Sequence, residues 1–139
     1  QYERAIQDYD KAIDLDKNFV FAYINRGNSY YNLKQYQRAI QDYDKAIEID
    51  KNYAFAYYNR GIAYKDLKQY QRAIQDYDKA IDLDKNYANA YYNRGLAYAA
   101  LKQYQRAIQD YKKYLELAPN AEDRAEVEKI IKDLEAQRP

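Results

Sequence analysis

One period organises almost the whole chain. Tyr2, Tyr36, Tyr70 and Tyr104 stand 34 residues apart, and RAIQDY recurs with the same spacing at 4–9, 38–43, 72–77 and 106–111. NRG recurs at 25–27, 59–61 and 93–95. Self-similarity at this period is the signature of a repeat architecture. The chain must therefore be read one unit at a time.

Each unit holds two helical patterns. In residues 70–83, Ala73, Ile74, Tyr77, Ala80 and Ile81 fall on one helix face, with Gln, Asp and Lys between them. In residues 55–67, Tyr57, Gly61, Tyr64 and Leu67 form a second stripe. The junctions Leu67-Lys68-Gln69 and Asp84-Lys85-Asn86 are short and polar, which forces neighbouring helices to run antiparallel. Asn18, Asn52, Asn86 and Asn120 are the expected N-caps. The unit is a helical hairpin, and the chain is a stack of hairpins. Its expected fold is all-α.

These columns resemble the tetratricopeptide repeat, which implies an all-α, right-handed α-solenoid. Counted from Ala54, that family asks for an aromatic at the fourth place, a small residue at the eighth and an aromatic at the eleventh. Tyr57, Gly61 and Tyr64 meet this, and Ala73, Tyr77 and Ala80 meet the second-helix motif. The resemblance covers three repeats, 20–53, 54–87 and 88–121, with residues 1–19 supplying the second helix of a preceding one. The departures are Arg26, Arg60 and Arg94 in place of leucine, and Lys17, Lys51 and Lys85 where proline is common. Pro119 conforms, and Tyr114 replaces a small alanine.

Residues 122–139 break the repeat. Val127, Ile130, Ile131 and Leu134 form one apolar stripe on a charged helix, with Asn120 and Asp123 as an expected capping box. This predicts a helix that closes the solenoid. The whole chain is expected to form one domain. It opens in mid-pattern at Gln1-Tyr2, which predicts a piece of a longer array.

Composition removes most chemistry. The sequence has no Cys, His or Thr, and Ser29 is its single serine. Disulfides, thiolate or imidazole metal sites and Ser-His or Cys-His nucleophiles are excluded. No catalytic role and no cofactor is expected. The stretch DLDKN opens like a calcium loop, but Tyr87 and Asn93 stand where glycine and glutamate are required. The 23 basic and 22 acidic residues leave a net charge of +1, so nucleic acid is not an expected partner. No apolar run spans a bilayer and no signal-peptide pattern opens the chain, which fits a cytoplasmic protein.

The repeat places 14 of the 20 tyrosines in scaffold columns, and the three glycines are expected to permit close helix approach. The resemblance implies that the first helices line a concave groove receiving an extended peptide or partner helix. Carried over, the groove places are Phe21, Ile24, Asn25, Asn28 and Tyr31 in the first full repeat. They are Phe55, Tyr58, Asn59, Ile62 and Lys65 in the second, and Asn89, Tyr92, Asn93 and Leu96 in the third. This floor is aromatic and amide-rich, and asparagines are suited to holding a peptide backbone. The family's carboxylate clamp needs cations that Phe21, Ile24, Asn89 and Asn93 do not supply. Arg26, Arg60 and Arg94 are expected to pair within their hairpins with Asp42, Asp76 and Asp110. The alternative function is a structural or consensus-like repeat array that forms a homodimer through Tyr2, Ala5, Tyr9 and Ala12.

Overall fold

The computed structural model describes residues 1–137, and all regular structure among them is helical. The eight helices follow the sequence period: α1 (Tyr2–Leu15), α2 (Val20–Asn32), α3 (Tyr36–Ile49), α4 (Ala54–Asp66), α5 (Tyr70–Leu83), α6 (Ala88–Ala100), α7 (Tyr104–Leu117) and α8 (Arg124–Ala136). Helices α2 and α3, α4 and α5, and α6 and α7 pair as hairpins, each packed against its neighbours in chain order. The result is an all-α helical repeat solenoid. Residues 138 and 139, included in the expected capping helix, lie outside the described residues.

A tyrosine under a glycine locks each hairpin. Tyr43, Tyr77 and Tyr111 are at most 1% exposed, on α3, α5 and α7. A Cβ at Gly27 or Gly61 would lie 2.7 Å from Cε1 of Tyr43 or Tyr77, closer than carbon atoms approach. At Gly95 the nearest ring atom is 3.2 Å away, so the third hairpin is slightly looser. The expected role of the glycines in close approach is what the packing requires.

The hairpin turns depend on an unexpected residue. Lys34, Lys68 and Lys102 all have φ of 62°, the left-handed region that glycine ordinarily fills. Lys68 N–H donates to the Lys65 carbonyl at 2.8 Å and Gln69 N–H to the Tyr64 carbonyl at 2.9 Å. This is a Schellman ending built on lysine.

Between hairpins, the expected asparagine caps do not form. The helices begin after Phe19, Tyr53 and Tyr87, with no side-chain cap bond. The Asn18, Asn52 and Asn86 N–H groups instead donate to Asp16, Asp50 and Asp84 at 3.0 Å. An aspartate two residues upstream closes an Asx turn, which competes with capping. The hydroxyls of Tyr23, Tyr57 and Tyr91 then tie the Lys17, Lys51 and Lys85 carbonyls. The Asn120–Asp123 capping box is also absent. Asp123 precedes α8 and accepts the Tyr114 hydroxyl at 2.9 Å.

Each arginine pairs with its expected aspartate and with a second one. Arg60 donates to both oxygens of Asp76, from Nε at 2.9 Å and Nη2 at 2.7 Å. Its Nη1 reaches Asp44 of the preceding hairpin at 2.8 Å. Arg26 joins Asp42 to Asp10, and Arg94 joins Asp110 to Asp78, in the same way. Burial pushes the Asp76 carboxyl upward while Arg60 pulls it back. At the last hairpin, Lys112 occupies the place of Asp44 and Asp78 and faces Glu135 of α8 at 3.9 Å.

Candidate functional site

The first helices of the hairpins touch one another, α2 with α4 and α4 with α6, whereas no such contact joins α3 to α5 or α5 to α7. Crowding on one side and spreading on the other curve the stack, with α2, α4 and α6 on the inner face.

Helices α2 and α4 carry exposed aromatic rings. Phe21 is 55% exposed and Phe55 39% exposed. Tyr53 lies between them, its ring centroid 6.0 Å from Phe21, edge-on, and 6.1 Å from Phe55. Asn25 and Asn89 are also exposed. Tyr31, Tyr58, Tyr92, Asn28, Ile62, Lys65, Asn93 and Leu96 are half-buried. Two groove positions expected from the sequence are not on the surface. Ile24 is 2% exposed and belongs to the core with Ile13 and Ile40. Asn59 is 9% exposed.

Hydrogen bonds explain the burial of the amides. Asn28 Oδ1 accepts from the Tyr43 hydroxyl at 2.5 Å and from Asn59 Nδ2 at 3.2 Å. Asn93 Nδ2 donates to the Tyr58 hydroxyl at 2.9 Å and to the Asn89 carbonyl at 3.0 Å, while Lys65 Nζ donates to Asn93 Oδ1 at 3.0 Å. The Tyr31 hydroxyl donates to the Asp66 carboxylate. Except for the bonds from Tyr43 and to Asn89, these join one first helix to the next. Asn59 and Asn93 therefore fasten repeats together. The Asn25 side chain carries no hydrogen bond among the described residues, so its amide is available.

Burial tunes the half-hidden groups. It lowers the Lys65 ammonium against the opposing pull of Asp66. It also raises the Tyr58 phenol, with the Asn93 amide opposing, and the Tyr92 phenol. The Tyr58 ring lies tilted against Tyr87 at 4.8 Å, and Tyr92 sits 5.1 Å from Tyr114 and 5.6 Å from Tyr111. In the second repeat Ile62 stands at the Asn28 place, and the buried Tyr77 hydroxyl has no partner among the described residues.

The repeat profile described as "Tetratricopeptide repeat" matches residues 20–53, 54–87 and 88–121, and a second, "TPR repeat", matches residues 1–34. The chain belongs to the tetratricopeptide repeat family. Its fold superposes on the crystal structure of MamA with a TM-score of 0.81 at 32% identity, covering 85% of this chain and 69% of that one. A second MamA structure is covered over 64% of its length. The first tetratricopeptide domain of Spaghetti (RPAP3), bound to the HSP90 peptide SRMEEVD, gives a TM-score of 0.79 at 31% identity, over 84% of this chain and 90% of that one. The second such domain of human RPAP3, in complex with the HSP70 peptide SGPTIEEVD, gives 0.74 at 33% identity, over 79% and 92%. None of the curated proteins compared with the chain matches it.

Within this tetratricopeptide array, Tyr53, whose ring contacts both Phe21 and Phe55, is absent from the sequence-derived set. Its signal was present in the column Phe19, Tyr53 and Tyr87, spaced by one repeat. Tyr114 behaves as scaffold, 8% exposed beneath α8. At the N-terminal end Tyr2 is 43% exposed, and Ala5, Tyr9 and Ala12 are half-buried.

Proposed function

We propose that this chain is a non-catalytic interaction scaffold whose inner face holds an extended peptide or partner helix against Phe21, Tyr53 and Phe55. The exposed ring row carries this reading. Large apolar side chains left open beside a free amide are the composition of a binding surface, in which aromatic anchors provide affinity. Asn25 and Asn89 supply polar contacts at its margins. The peptide-bound RPAP3 domains support the same mode of use. The ligand differs from an acidic tail in chemistry, because Phe21, Ile24, Asn89 and Asn93 stand where a carboxylate clamp needs cations. Apolar or aromatic side chains suit this groove.

Peptide-library selection on the parent chain and on Phe21→Ala/Phe55→Ala tests it. Both phenylalanines are exposed, so the double variant is expected to melt as the parent does. A ligand enriched by the parent and lost by the variant is the expected result. Equal enrichment by both would remove the ring row from function.

A self-associating array is the second reading, favoured by the open Tyr2, Ala5, Tyr9 and Ala12 face of α1. Sedimentation across a wide concentration range tests it, and a monomer throughout would end it. No helix among the described residues is long and apolar enough to cross a membrane.

A further inference from the structure

We propose that the hairpin-turn edge of the stack is a docking surface for an extended acidic protein segment with a carboxylate at about every third residue. The sequence LKQYQR stands at all three turns, residues 33–38, 67–72 and 101–106, and holds two cations and no acid. The near-zero net charge therefore conceals a segregation. Between hairpins the chain reads DLDKN, EIDKN and DLDKN at 14–18, 48–52 and 82–86, each with two acids and one lysine. There Lys17 pairs with Asp14 at 3.9 Å and Lys85 with Asp82 at 3.4 Å. At the turns, Lys34, Lys68, Lys102, Arg38, Arg72 and Arg106 are all exposed, and none makes an ion pair among the described residues. Asp66, the acid that precedes the second turn, is taken by the Tyr31 hydroxyl.

Both cations of each turn are held in place at a cost or by a device. Lys34, Lys68 and Lys102 have φ of 62°, where any side chain costs backbone energy that glycine does not. Every turn accepts that strain and keeps a charge. The arginines are fixed without a carboxylate. The Arg38, Arg72 and Arg106 guanidinium groups lie 5.6, 5.5 and 5.7 Å from the Tyr30, Tyr64 and Tyr98 ring centres. Their Nη1 atoms donate to Gln35, Gln69 and Gln103 at 3.2, 3.2 and 3.1 Å. No other hydrogen bond occupies these groups among the described residues. An open cleft separates consecutive turns. The first, of about 510 Å³, is lined by Lys34, Gln37, Arg38 and, from the next turn, Leu67. The second, of about 300 Å³, is lined by Lys68, Gln71, Arg72 and Leu101. These stations recur at the spacing of packed helices, about 10 Å, which is near three residues of extended chain at about 3.3 Å each. A carboxylate can then meet each lysine and arginine while an apolar side chain between them rests on leucine. Single-stranded nucleic acid would need free ring faces for its bases, and Tyr30, Tyr64 and Tyr98 already carry guanidinium groups.

The probe is a fluorescein-labelled peptide of about ten residues, with aspartate at every third position and valine and serine between. It is titrated with the full chain at low salt and followed by anisotropy. Saturable one-to-one binding is expected, tighter than for a peptide of the same composition whose aspartates are contiguous. Arg38→Gln, Arg72→Gln and Arg106→Gln should each weaken it about threefold, and all three together about tenfold or more. These side chains are exposed, so the variants are expected to melt as the parent does. Lys34→Gly/Lys68→Gly/Lys102→Gly should weaken binding while raising the melting temperature, a combination that a purely structural lysine would not give. No binding at the highest soluble concentration would overturn the proposal, and so would equal affinity for the spaced and contiguous peptides. Binding indifferent to the arginine variants but lost in Phe21→Ala/Phe55→Ala would put the peptide in the groove instead. An oligothymidylate that binds more tightly than the spaced peptide, and is lost in the arginine variants, would give the edge to nucleic acid. Salt-sensitive self-association that excludes the peptide and vanishes in those variants would give it to the acidic loops of a second copy.

Discussion

The first and last described helices, α1 and α8, present opposite surfaces. At the α8 end, Val127 is 0% exposed, and Ile131 and Leu134 are 8% exposed, covering the last hairpin. Lys112 replaces the aspartate that in earlier hairpins receives the next arginine, and Glu135 answers it. At the α1 end, Asp8 keeps the acidic half of an interior pair and the tyrosine beneath it stays open. A charge reversal and an apolar stripe mark the α8 side. An unchanged repeat face marks α1.

The largest expected difference between the ends is in tolerance of buried charge. Val127→Asp should destabilise the chain by about 3 kcal/mol or more, since an unpaired carboxylate would replace a fully buried side chain. Tyr9→Asp should cost less than about 1 kcal/mol, because its face is already partly hydrated. Chemical denaturation of the two variants compares them, and equal losses would erase the distinction. Asp76→Asn against Asp8→Asn is the next test. Removing the carboxylate under Arg60 is expected to cost about 2 kcal/mol, and the same change at Asp8 almost nothing.

A narrower effect belongs to the closed end alone. Burial, with the adjacent Asp123 carboxylate, pushes the Tyr114 phenol up to about 12. Its neutral form is therefore favoured in the folded chain. That stabilisation is complete below the ordinary tyrosine value of about 10 and is lost as pH rises through 12. Alkaline titration should loosen α8 in this interval, and Tyr114→Phe should reduce that part of the pH dependence. Hydrogen exchange of α8 amides reads both. The smallest change is expected for Lys112→Ala, at most about 1 kcal/mol, because its ion pair with Glu135 is exposed. A larger loss would mean that the charge reversal contributes more to closure than the apolar stripe.

The repeating part of this design was legible because it depends on one-letter periodicity. The glycine over tyrosine and the Arg60–Asp76 pairing both follow from residues that recur in register. What escaped falls between columns. Asn28 meets Asn59 and Lys65 meets Asn93 across adjacent repeats, at places that the period does not align. Ile24 and Tyr58 share a column, yet Ile24 is swallowed by the core while the longer ring of Tyr58 reaches toward Tyr87. Lys34, Lys68 and Lys102 gave no warning of a left-handed turn, because lysine has no side-chain device for that conformation. The asparagine caps failed through local competition from Asp16, Asp50 and Asp84.

The doubly engaged arginines also make this a mechanical object. Helices α3 and α5 do not touch, yet Arg60 holds Asp44 of one and Asp76 of the other. Arg26 and Arg94 repeat the link on either side. Tension applied along the outer surface would load these three guanidinium groups in series, so the array would extend as a spring whose stiffness falls with added salt.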